Sequence, residues 1–126
     1  MSAPAPTSEA APVRVALVGS PNAGKTTLFN ALTGSRAKVG NYAGVTVERR
    51  EGRLRGVPRH VALLDLPGTY GLRGETPDEQ IVTKVLAGEL HDEPRPEALL
   101  IVADSTTLRR GLAVVLEALE HPIPAA

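Results

Sequence analysis

The feature that most constrains this chain is the eight-residue segment GSPNAGKT at positions 19–26. An apolar run, VRVALV, precedes it at residues 13–18, and TLFNAL at residues 27–32 suits a helix. The glycines let the backbone turn tightly and aim N–H groups at phosphate oxygens, while a helix N-terminus adds partial positive charge. The pattern G-x-x-x-x-G-K-[ST] between a strand and a helix therefore predicts a phosphate-binding loop, in which Lys25 reaches the β- and γ-phosphates and Thr26 binds Mg²⁺.

Composition excludes several other classes of protein. A chain of 126 residues is long enough for one domain with a core. Its 14 basic and 14 acidic residues cancel, and its aromatic residues are only Phe29, Tyr42 and Tyr70, which argues against a nucleic-acid partner. The lack of cysteine excludes a disulfide framework and a cysteine metal site. No apolar run approaches the roughly 20 residues that a membrane-spanning helix needs.

Strand-like and helix-like segments alternate along the chain, which predicts an α/β fold. Continuous apolar strands indicate a mainly parallel sheet with helices on both faces, and ligands of such sheets bind at the carboxyl ends of the strands. Residues 1–12, rich in Ala and Pro, are interpreted as a disordered tail, and residues 13–126 as the domain. Strands are predicted at residues 13–18, 45–55, 60–66 and 98–103, and the strand at residues 45–55 is expected to lie at the edge of the sheet. Helices are predicted at residues 25–33, 76–87 and 106–120, and an exposed loop at residues 35–46.

The second helix has the clearest start signal. Thr76 suits the N-cap, Pro77 suits the first helical position, and Glu79 has the spacing of a capping box with Thr76. Gly34 and Gly88 suit the C-terminal ends of the first two helices.

A second motif, D-x-x-G, follows the strand predicted at residues 60–66 as DLPG, residues 65–68. The acid can support Mg²⁺ through water, and the Gly68 N–H can point at a γ-phosphate. An ordinary exit from a strand into a turn is the alternative.

Thr46 lies between the two motifs. Its hydroxyl can bind Mg²⁺ and its N–H can bind a γ-phosphate, so loss of this phosphate would release the loop. Alternatively, Thr46 is only a β-branched residue at the start of a strand.

Longer stretches resemble a known family. Residues 19–34, GSPNAGKTTLFNALTG, resemble the Era/TrmE-type GTPases. Residues 39–52, VGNYAGVTVERREG, residues 65–72, DLPGTYGL, and residues 78–81, DEQI, more specifically resemble the G domain of the ferrous iron transport protein B (FeoB) family. The resemblance covers about residues 13–123. It implies the P-loop NTPase G-domain fold and a GTP-hydrolysing domain of a polytopic Fe²⁺ transporter. This domain is expected on the cytoplasmic face of the membrane, where it would regulate Fe²⁺ uptake. The resemblance leaves a homo-oligomer open.

The resemblance also implies stimulation by K⁺. Asn22 matches a phosphate-loop Asn that binds K⁺, and Gly40 and Tyr42 match positions whose backbone carbonyls complete that site. A K⁺ ion there would offset charge between the β- and γ-phosphates, as an arginine finger does. The alternative is that Asn22 only stabilises its own turn.

Specific residues match the nucleotide site of the family. Lys25, Thr46 and Gly68 are the candidate catalytic residues, with GTP or GDP and Mg²⁺ as the cofactors. Thr26, Thr46 and Asp65 are the candidate Mg²⁺ ligands. The full set of candidate nucleotide-binding residues is Gly19, Asn22, Ala23, Gly24, Lys25, Thr26, Thr27, Val45, Thr46, Asp65, Pro67 and Gly68.

Two of the chain's departures from the family pattern bear on its activity. Thr69 rather than Gln follows DLPG, so no side chain is evident for orienting the attacking water, and slow turnover is expected. The base-reading N-[KM]-x-D motif and the transmembrane helices do not follow residue 124. We therefore expect a G domain that is incomplete at its C-terminus, with a membrane transport domain in the full-length protein.

Two other functions are compatible with the motifs, namely a soluble Era-like GTPase that acts on the ribosome or tRNA, and an inactive nucleotide-binding fragment. The three histidines, His60, His91 and His121, lie far apart and are interpreted as solvated side chains. The charged run at residues 48–51, ERRE, is interpreted as a solvated strand edge. Asp104 suits either the nucleotide side of the sheet or a plain strand end.

Overall fold

The predicted alternation of strands and helices is present in the structure, a computed structural model that describes residues 12–20, 24–69, 74–102 and 123–126. Three predictions fall outside the described residues: the helix at residues 106–120, residues 1–11 of the tail, and the position of Asp104. In chain order the elements are β1 (Val13–Gly19), α1 (Lys25–Thr33), β2 (Lys38–Asn41), β3 (Glu48–Arg53), β4 (Val61–Asp65), α2 (Pro77–Ala87) and β5 (Ala98–Val102).

The strands of the described residues form one sheet in the order β2-β3-β4-β1-β5. The three apolar strands β4, β1 and β5 are parallel, which confirms the predicted parallel core. Strands β2 and β3 run antiparallel to their neighbours, so the sheet as a whole is mixed. The parallel core places the carboxyl ends of β1 and β4 side by side, and these are the ends from which the two sequence motifs leave.

The prediction for residues 35–55 was wrong in two respects. Residues 38–41 form strand β2 inside the segment predicted as a loop, because they pair through the backbone with residues 48–51. All four residues of β2 are exposed, so they carry no alternation of apolar and polar side chains that the sequence could reveal. Strand β3 is consequently flanked by β2 and β4 and is not the edge strand.

Helices cover both faces of the sheet, as predicted. Along each strand successive side chains point to opposite faces, so alternate residues contribute to two separate apolar clusters. Helix α1 lies on one face, where Phe29 packs against Leu17 and Leu63. Helix α2 lies on the other face, in a larger cluster that includes Ala16, Val18, Leu64, Leu66, Ile81, Val82, Val85, Leu86 and Leu99.

The helix boundaries follow the predicted capping residues. The backbone N–H of Glu79 donates to Thr76 Oγ1 at 3.1 Å, and Pro77 opens α2. The Glu79 carboxylate accepts from the backbone N–H of Glu75 at 3.2 Å, one residue before the N-cap. Gly34 and Gly88 occupy the C-cap positions of the two helices.

A cluster of charged side chains lies on the α2 face, beside the apolar cluster. Glu93, which is 9% exposed, accepts from Arg14 at 2.9 Å and also pairs with Arg49. Arg49 pairs in addition with Glu51, at 2.7 Å. Burial by itself would lower the pKa of Arg49, but its hydrogen bonds to Glu93 and Glu51 raise that pKa above the ordinary value, so the guanidinium stays charged. The solvated-edge interpretation of residues 48–51 is therefore wrong for Arg49 and Glu51.

The last described residues lie beside β5. The backbone N–H of Leu99 donates to the carbonyl of Pro124 at 2.8 Å, and the N–H of Ala126 donates to the carbonyl of Leu99 at 2.9 Å. Residues 124–126 thus run parallel to β5 and pair with its outer edge. Within the described part of the chain, no helix is long and apolar enough to cross a bilayer.

The Glu93→Gln substitution is expected to lower the free energy of unfolding by about 2 kcal/mol, because two largely buried guanidinium groups lose their shared carboxylate. Urea denaturation measures this change. Glu89→Gln is the matched control, since Glu89 is exposed at the end of α2. Equal losses of stability in the two variants would contradict the role assigned to Glu93.

Candidate functional site

The N-terminus of α1 presents backbone donors without a side-chain cap. Gly24 is the N-cap residue and has a φ of 86°, a left-handed conformation that favours glycine. Within the described residues no side chain accepts a hydrogen bond from the first turn of α1. The first amides of a helix have no intrahelical partner, so those that follow Gly24 are available to an anion, as the phosphate-loop motif predicts.

The first glycine of the motif has a different role, which is close packing between strands. A Cβ atom at Gly19 would lie 2.6 Å from the backbone carbonyl oxygen of Val102 on β5. Gly19 is also the register partner of Val102 in the parallel pairing of β1 with β5. Gly19 thus lets these two strands approach at the point where the loop leaves the sheet, and it does not line the cleft described below.

Lys25 joins the two sequence motifs directly. Its Nζ donates to the Asp65 carboxylate and, at 2.6 Å, to the backbone carbonyl oxygen of Leu66. The side chains of Lys25 and Asp65 are only 8% and 9% exposed. The N–H of Thr69 in turn donates to the carbonyl of Gly19 at 3.0 Å, which ties the D-x-x-G segment to the end of β1.

Sequence reasoning did not find this ion pair, although a signal for the proximity of the two motifs was available. The motif assigns Lys25 to phosphate and Asp65 to Mg²⁺, and this assignment says nothing about a contact between them. Both residues follow the carboxyl ends of apolar strands, and β1 and β4 are parallel neighbours. Adjacent strand ends place such groups together, so the proximity of the two motifs was predictable and the direct pairing was not.

A cleft of about 340 Å³ brings together six of the predicted site residues. They come from the start of α1, from the loop that precedes β3 and from the segment that follows β4. Thr27 and Val45 are exposed and do not line it, and Asn22 and Ala23 lie outside the described residues. The predicted residues that line the cleft are Lys25, Thr26, Thr46, Asp65, Pro67 and Gly68.

Thr46 is held at the cleft by a closed loop with two buried ends. The N–H of Tyr42 donates to the carbonyl of Val47 at 3.0 Å, and the N–H of Val45 donates to the carbonyl of Tyr42 at 3.2 Å. The side chains of Tyr42 and Val47 are buried in the α2-side cluster, whereas Thr46 is exposed. The loop therefore presents Thr46 from a fixed base.

The surroundings of Tyr42 bear on the predicted K⁺ site. Burial, together with the nearby carboxylate of Glu93, raises the pKa of the Tyr42 phenol well above its ordinary value, so the side chain stays neutral. Its carbonyl accepts one hydrogen bond, from Val45, and a carbonyl oxygen has a second lone pair. Gly40 lies in β2 and is exposed. Because Asn22 is outside the described residues, the K⁺ site stays a prediction.

The cleft has a donor set that fits Mg²⁺. It is lined by two threonines, Thr26 and Thr46, and by the carboxylate of Asp65. Hydroxyl and carboxylate oxygens are ligands that Mg²⁺ accepts, and in phosphate-transfer sites it takes one or two carboxylates together with phosphate oxygens and water. The described residues contain no group of three or more acidic, His or Cys side chains that could hold a metal ion. This donor set therefore fits a magnesium ion that shares its ligands with a nucleotide.

Three charged residues of the cleft were missed by sequence reasoning, namely Glu48, Arg50 and Asp78. Asp78 lies in the first turn of α2, and the other two lie on β3. In β3 the residues of the ERRE run alternate between the two faces of the sheet, so residues 49 and 51 join the ionic cluster while residues 48 and 50 face the cleft. Strand alternation was the available signal, but the run was interpreted as an undivided solvated edge.

Gly19→Ala is expected to destabilise the fold by about 2 kcal/mol, because its new Cβ would collide with a backbone oxygen that cannot move without distorting β5. Gly40→Ala is the matched control, since a Cβ there meets nothing within 4 Å. Chemical denaturation of the two variants tests the difference. A Gly19→Ala variant as stable as the Gly40→Ala variant would show that close packing is not the reason for Gly19.

Comparison with known proteins identifies the family. A family model described as Ferrous iron transport protein B matches residues 13–126. The Fe(2+) transporter FeoB of Escherichia coli K12 is 48% identical over 115 residues, which are 87% of this chain and 14% of that protein. An Fe(2+) transport protein A/Fe(2+) transporter FeoB fusion protein of Porphyromonas gingivalis is 42% identical over 89% of this chain and 13% of its own length. The chain thus spans about one seventh of these relatives.

Solved structures support the same assignment. The G domain of the T. maritima FeoB iron transporter matches with a TM-score of 0.77 at 41% identity, over 91% of this chain and 69% of that one. A mutant of S. thermophilus NFeoB bound to mGDP matches with a TM-score of 0.83 at 35% identity, over 92% of this chain and 42% of that one. The cytosolic domain of T. maritima FeoB in its GMPPNP form matches with a TM-score of 0.80 at 42% identity, over 90% of this chain and 43% of that one. The chain therefore has a P-loop G-domain fold and belongs to the ferrous iron transport protein B family.

Proposed function

We propose that this chain binds and hydrolyses GTP and acts as the switch domain of a ferrous iron transporter, where it regulates Fe²⁺ uptake. One observation carries the proposal: a single cleft joins the uncapped start of α1, the buried Lys25 amine and the three oxygen-bearing side chains that suit Mg²⁺. The relatives described as bound to mGDP or in a GMPPNP form support guanine nucleotide as the ligand. The chain covers about one seventh of the transporters that it matches, so the link to iron uptake rests on family membership.

Lys25 is the residue that binds the β- and γ-phosphates in this proposal. Its amine is buried and already makes two hydrogen bonds, to Asp65 and to the Leu66 carbonyl. A phosphate oxygen replaces the Asp65 carboxylate as an anionic partner, so the charge of Lys25 remains compensated. The Asp65 carboxylate would then support Mg²⁺ through water, and the hydroxyls of Thr26 and Thr46 would hold the ion. When bound, Mg²⁺ would supply charge compensation for the transferred phosphoryl group.

The switch consists of the loop that carries Thr46 and the segment that carries Gly68. Both line the cleft, and each offers a backbone N–H to a γ-phosphate in the proposed arrangement. Hydrolysis removes these contacts and releases the loop from the nucleotide. The hydrogen bonds that close residues 42–47 at their base join backbone groups of Tyr42, Val45 and Val47, so the proposed release is confined to the tip of the loop.

Slow turnover follows from the position of Thr69. Its side chain is only 4% exposed, its N–H is bound to the Gly19 carbonyl, and it does not line the cleft. It therefore does not take the place of a glutamine that orients the attacking water. Catalysis in this proposal relies on charge compensation at the phosphates. A K⁺ ion held by Asn22 and the carbonyls of Gly40 and Tyr42 would add to that compensation.

Nucleotide binding is tested by the melting temperature of the chain. Mg-GTP and Mg-GDP are expected to raise it, since a ligand at 100 times its Kd stabilises the folded state by about 2.7 kcal/mol. Lys25→Ala is expected to abolish the shift, whereas Lys38→Ala, at an exposed position of β2, keeps it. A wild-type chain that unfolds cooperatively but shows no shift with either nucleotide would overturn the proposal.

The K⁺ site is tested by single-turnover hydrolysis of GTP in KCl and in NaCl. The wild-type rate is expected to be higher in KCl, and Asn22→Ala is expected to make the two rates equal. Asn30→Ala is the control, because Asn30 lies in α1 and does not line the cleft. A KCl-to-NaCl ratio that is unchanged in Asn22→Ala would remove Asn22 from the mechanism.

A further inference from the structure

We propose that Arg50 is a second phosphate-binding cation of the cleft, which contacts the terminal phosphate and favours nucleoside triphosphate over diphosphate. This inference rests on the proposed nucleotide-binding function. It assigns a role to a residue for which the sequence analysis predicted none in the site.

The register of the sheet places Arg50 beside Asp65. Strand β3 pairs with β4 so that Arg50 lies opposite Asp65 and Glu51 lies opposite Leu64. Residues directly opposite each other share a face of the sheet, with Cβ atoms about 5 Å apart. Arg50 and Asp65 therefore project toward the same side, and both line the cleft.

The two neighbouring arginines of β3 are held very differently. Arg49 is bound by Glu93 and Glu51 on the α2 face, and its side chain is 21% exposed. Arg50 has one ionic partner among the described residues, Glu48, at 3.3 Å, and the two side chains are 30% and 59% exposed. Exposed pairs of this kind contribute little stability. The Arg50 guanidinium can therefore exchange Glu48 for a stronger anionic partner at little cost.

The position of Arg50 within the cleft points to the terminal phosphate. Arg50 lines the cleft together with Thr46 and Gly68, the two residues proposed to contact a γ-phosphate. Among the described residues of the lining, the only other basic one is Lys25, which pairs with Asp65 and comes from the start of α1. Of these two cations, Arg50 is the one that is not paired with a buried carboxylate.

The expected preference for triphosphate over diphosphate follows from the charge of the nucleotide and of the cleft. A nucleoside triphosphate carries one more phosphate and more negative charge than a diphosphate, and a guanidinium binds phosphate oxygens in a bidentate manner. The acids Glu48, Asp65 and Asp78 also line the cleft and oppose the added charge. A cation that reaches the terminal phosphate offsets this repulsion for the triphosphate alone, so its removal affects triphosphate binding selectively.

The experiment compares the Kd values of the chain for GMPPNP and for GDP in the presence of Mg²⁺, by titration calorimetry. Arg50→Ala is expected to weaken GMPPNP binding about tenfold, equivalent to about 1.4 kcal/mol, and GDP binding less than twofold. Arg50→Lys, which keeps the charge but loses the bidentate geometry, is expected to fall between the wild type and Arg50→Ala. The matched control is Arg53→Ala, on the same strand but outside this cleft.

Every other result of this experiment contradicts the inference, and each result points to a different explanation. GDP binding reports that a variant is folded, so an unchanged ratio of the two affinities in Arg50→Ala would exclude a contact with the terminal phosphate. Equal weakening for both nucleotides would mean that Arg50 supports the cleft as a whole. The same shift in Arg53→Ala would reduce the effect to general electrostatics. A wild-type chain that binds neither nucleotide would overturn the proposed function itself.

Discussion

The ion pair between Lys25 and Asp65 is the interaction on which the cleft depends. It brings together the first residue of α1 and the last residue of β4, and the same amine also holds the Leu66 carbonyl. Burying a charge is costly unless it is paired, so neither group tolerates the loss of its partner without replacement. The pairing is possible because β1 and β4 are parallel neighbours whose carboxyl ends coincide. A buried lysine with an exchangeable anionic partner is well suited to bind a phosphate.

Strand β3 supplies the second constraint, because it serves two sites at once. One face of it contributes Arg49 and Glu51 to the cluster around Glu93, and the other face directs Glu48 and Arg50 to the cleft. The Thr46 loop enters this strand directly, and its base is fixed by the buried side chains of Tyr42 and Val47. The ionic cluster thus holds the face of β3 that points toward α2, while the opposite face remains available for ligand binding.

Much of the fold was predictable because its signals are local. The apolar runs gave the three parallel strands, the phosphate-loop pattern gave the start of α1, and Thr76 with Pro77 gave the start of α2. Strand β2 was not predictable, because its four exposed residues pair only through the backbone. The contacts of Glu93 were equally hidden, since its partners lie 44 and 79 positions away and nothing in the local sequence distinguishes a buried acid from a solvated one. The candidate site shows the same division: the motifs predicted six of the residues that line the cleft, whereas Arg50, placed there by strand register, was not predicted.

The most direct test of this account is a crystal structure of the chain with Mg²⁺ and GMPPNP. The account predicts that Lys25 Nζ leaves Asp65 for the β- and γ-phosphate oxygens. It also predicts that the hydroxyls of Thr26 and Thr46 bind Mg²⁺ and that Asp65 supports the ion through water. A nucleotide bound elsewhere, or bound in the cleft while Lys25 remains on Asp65, would contradict it.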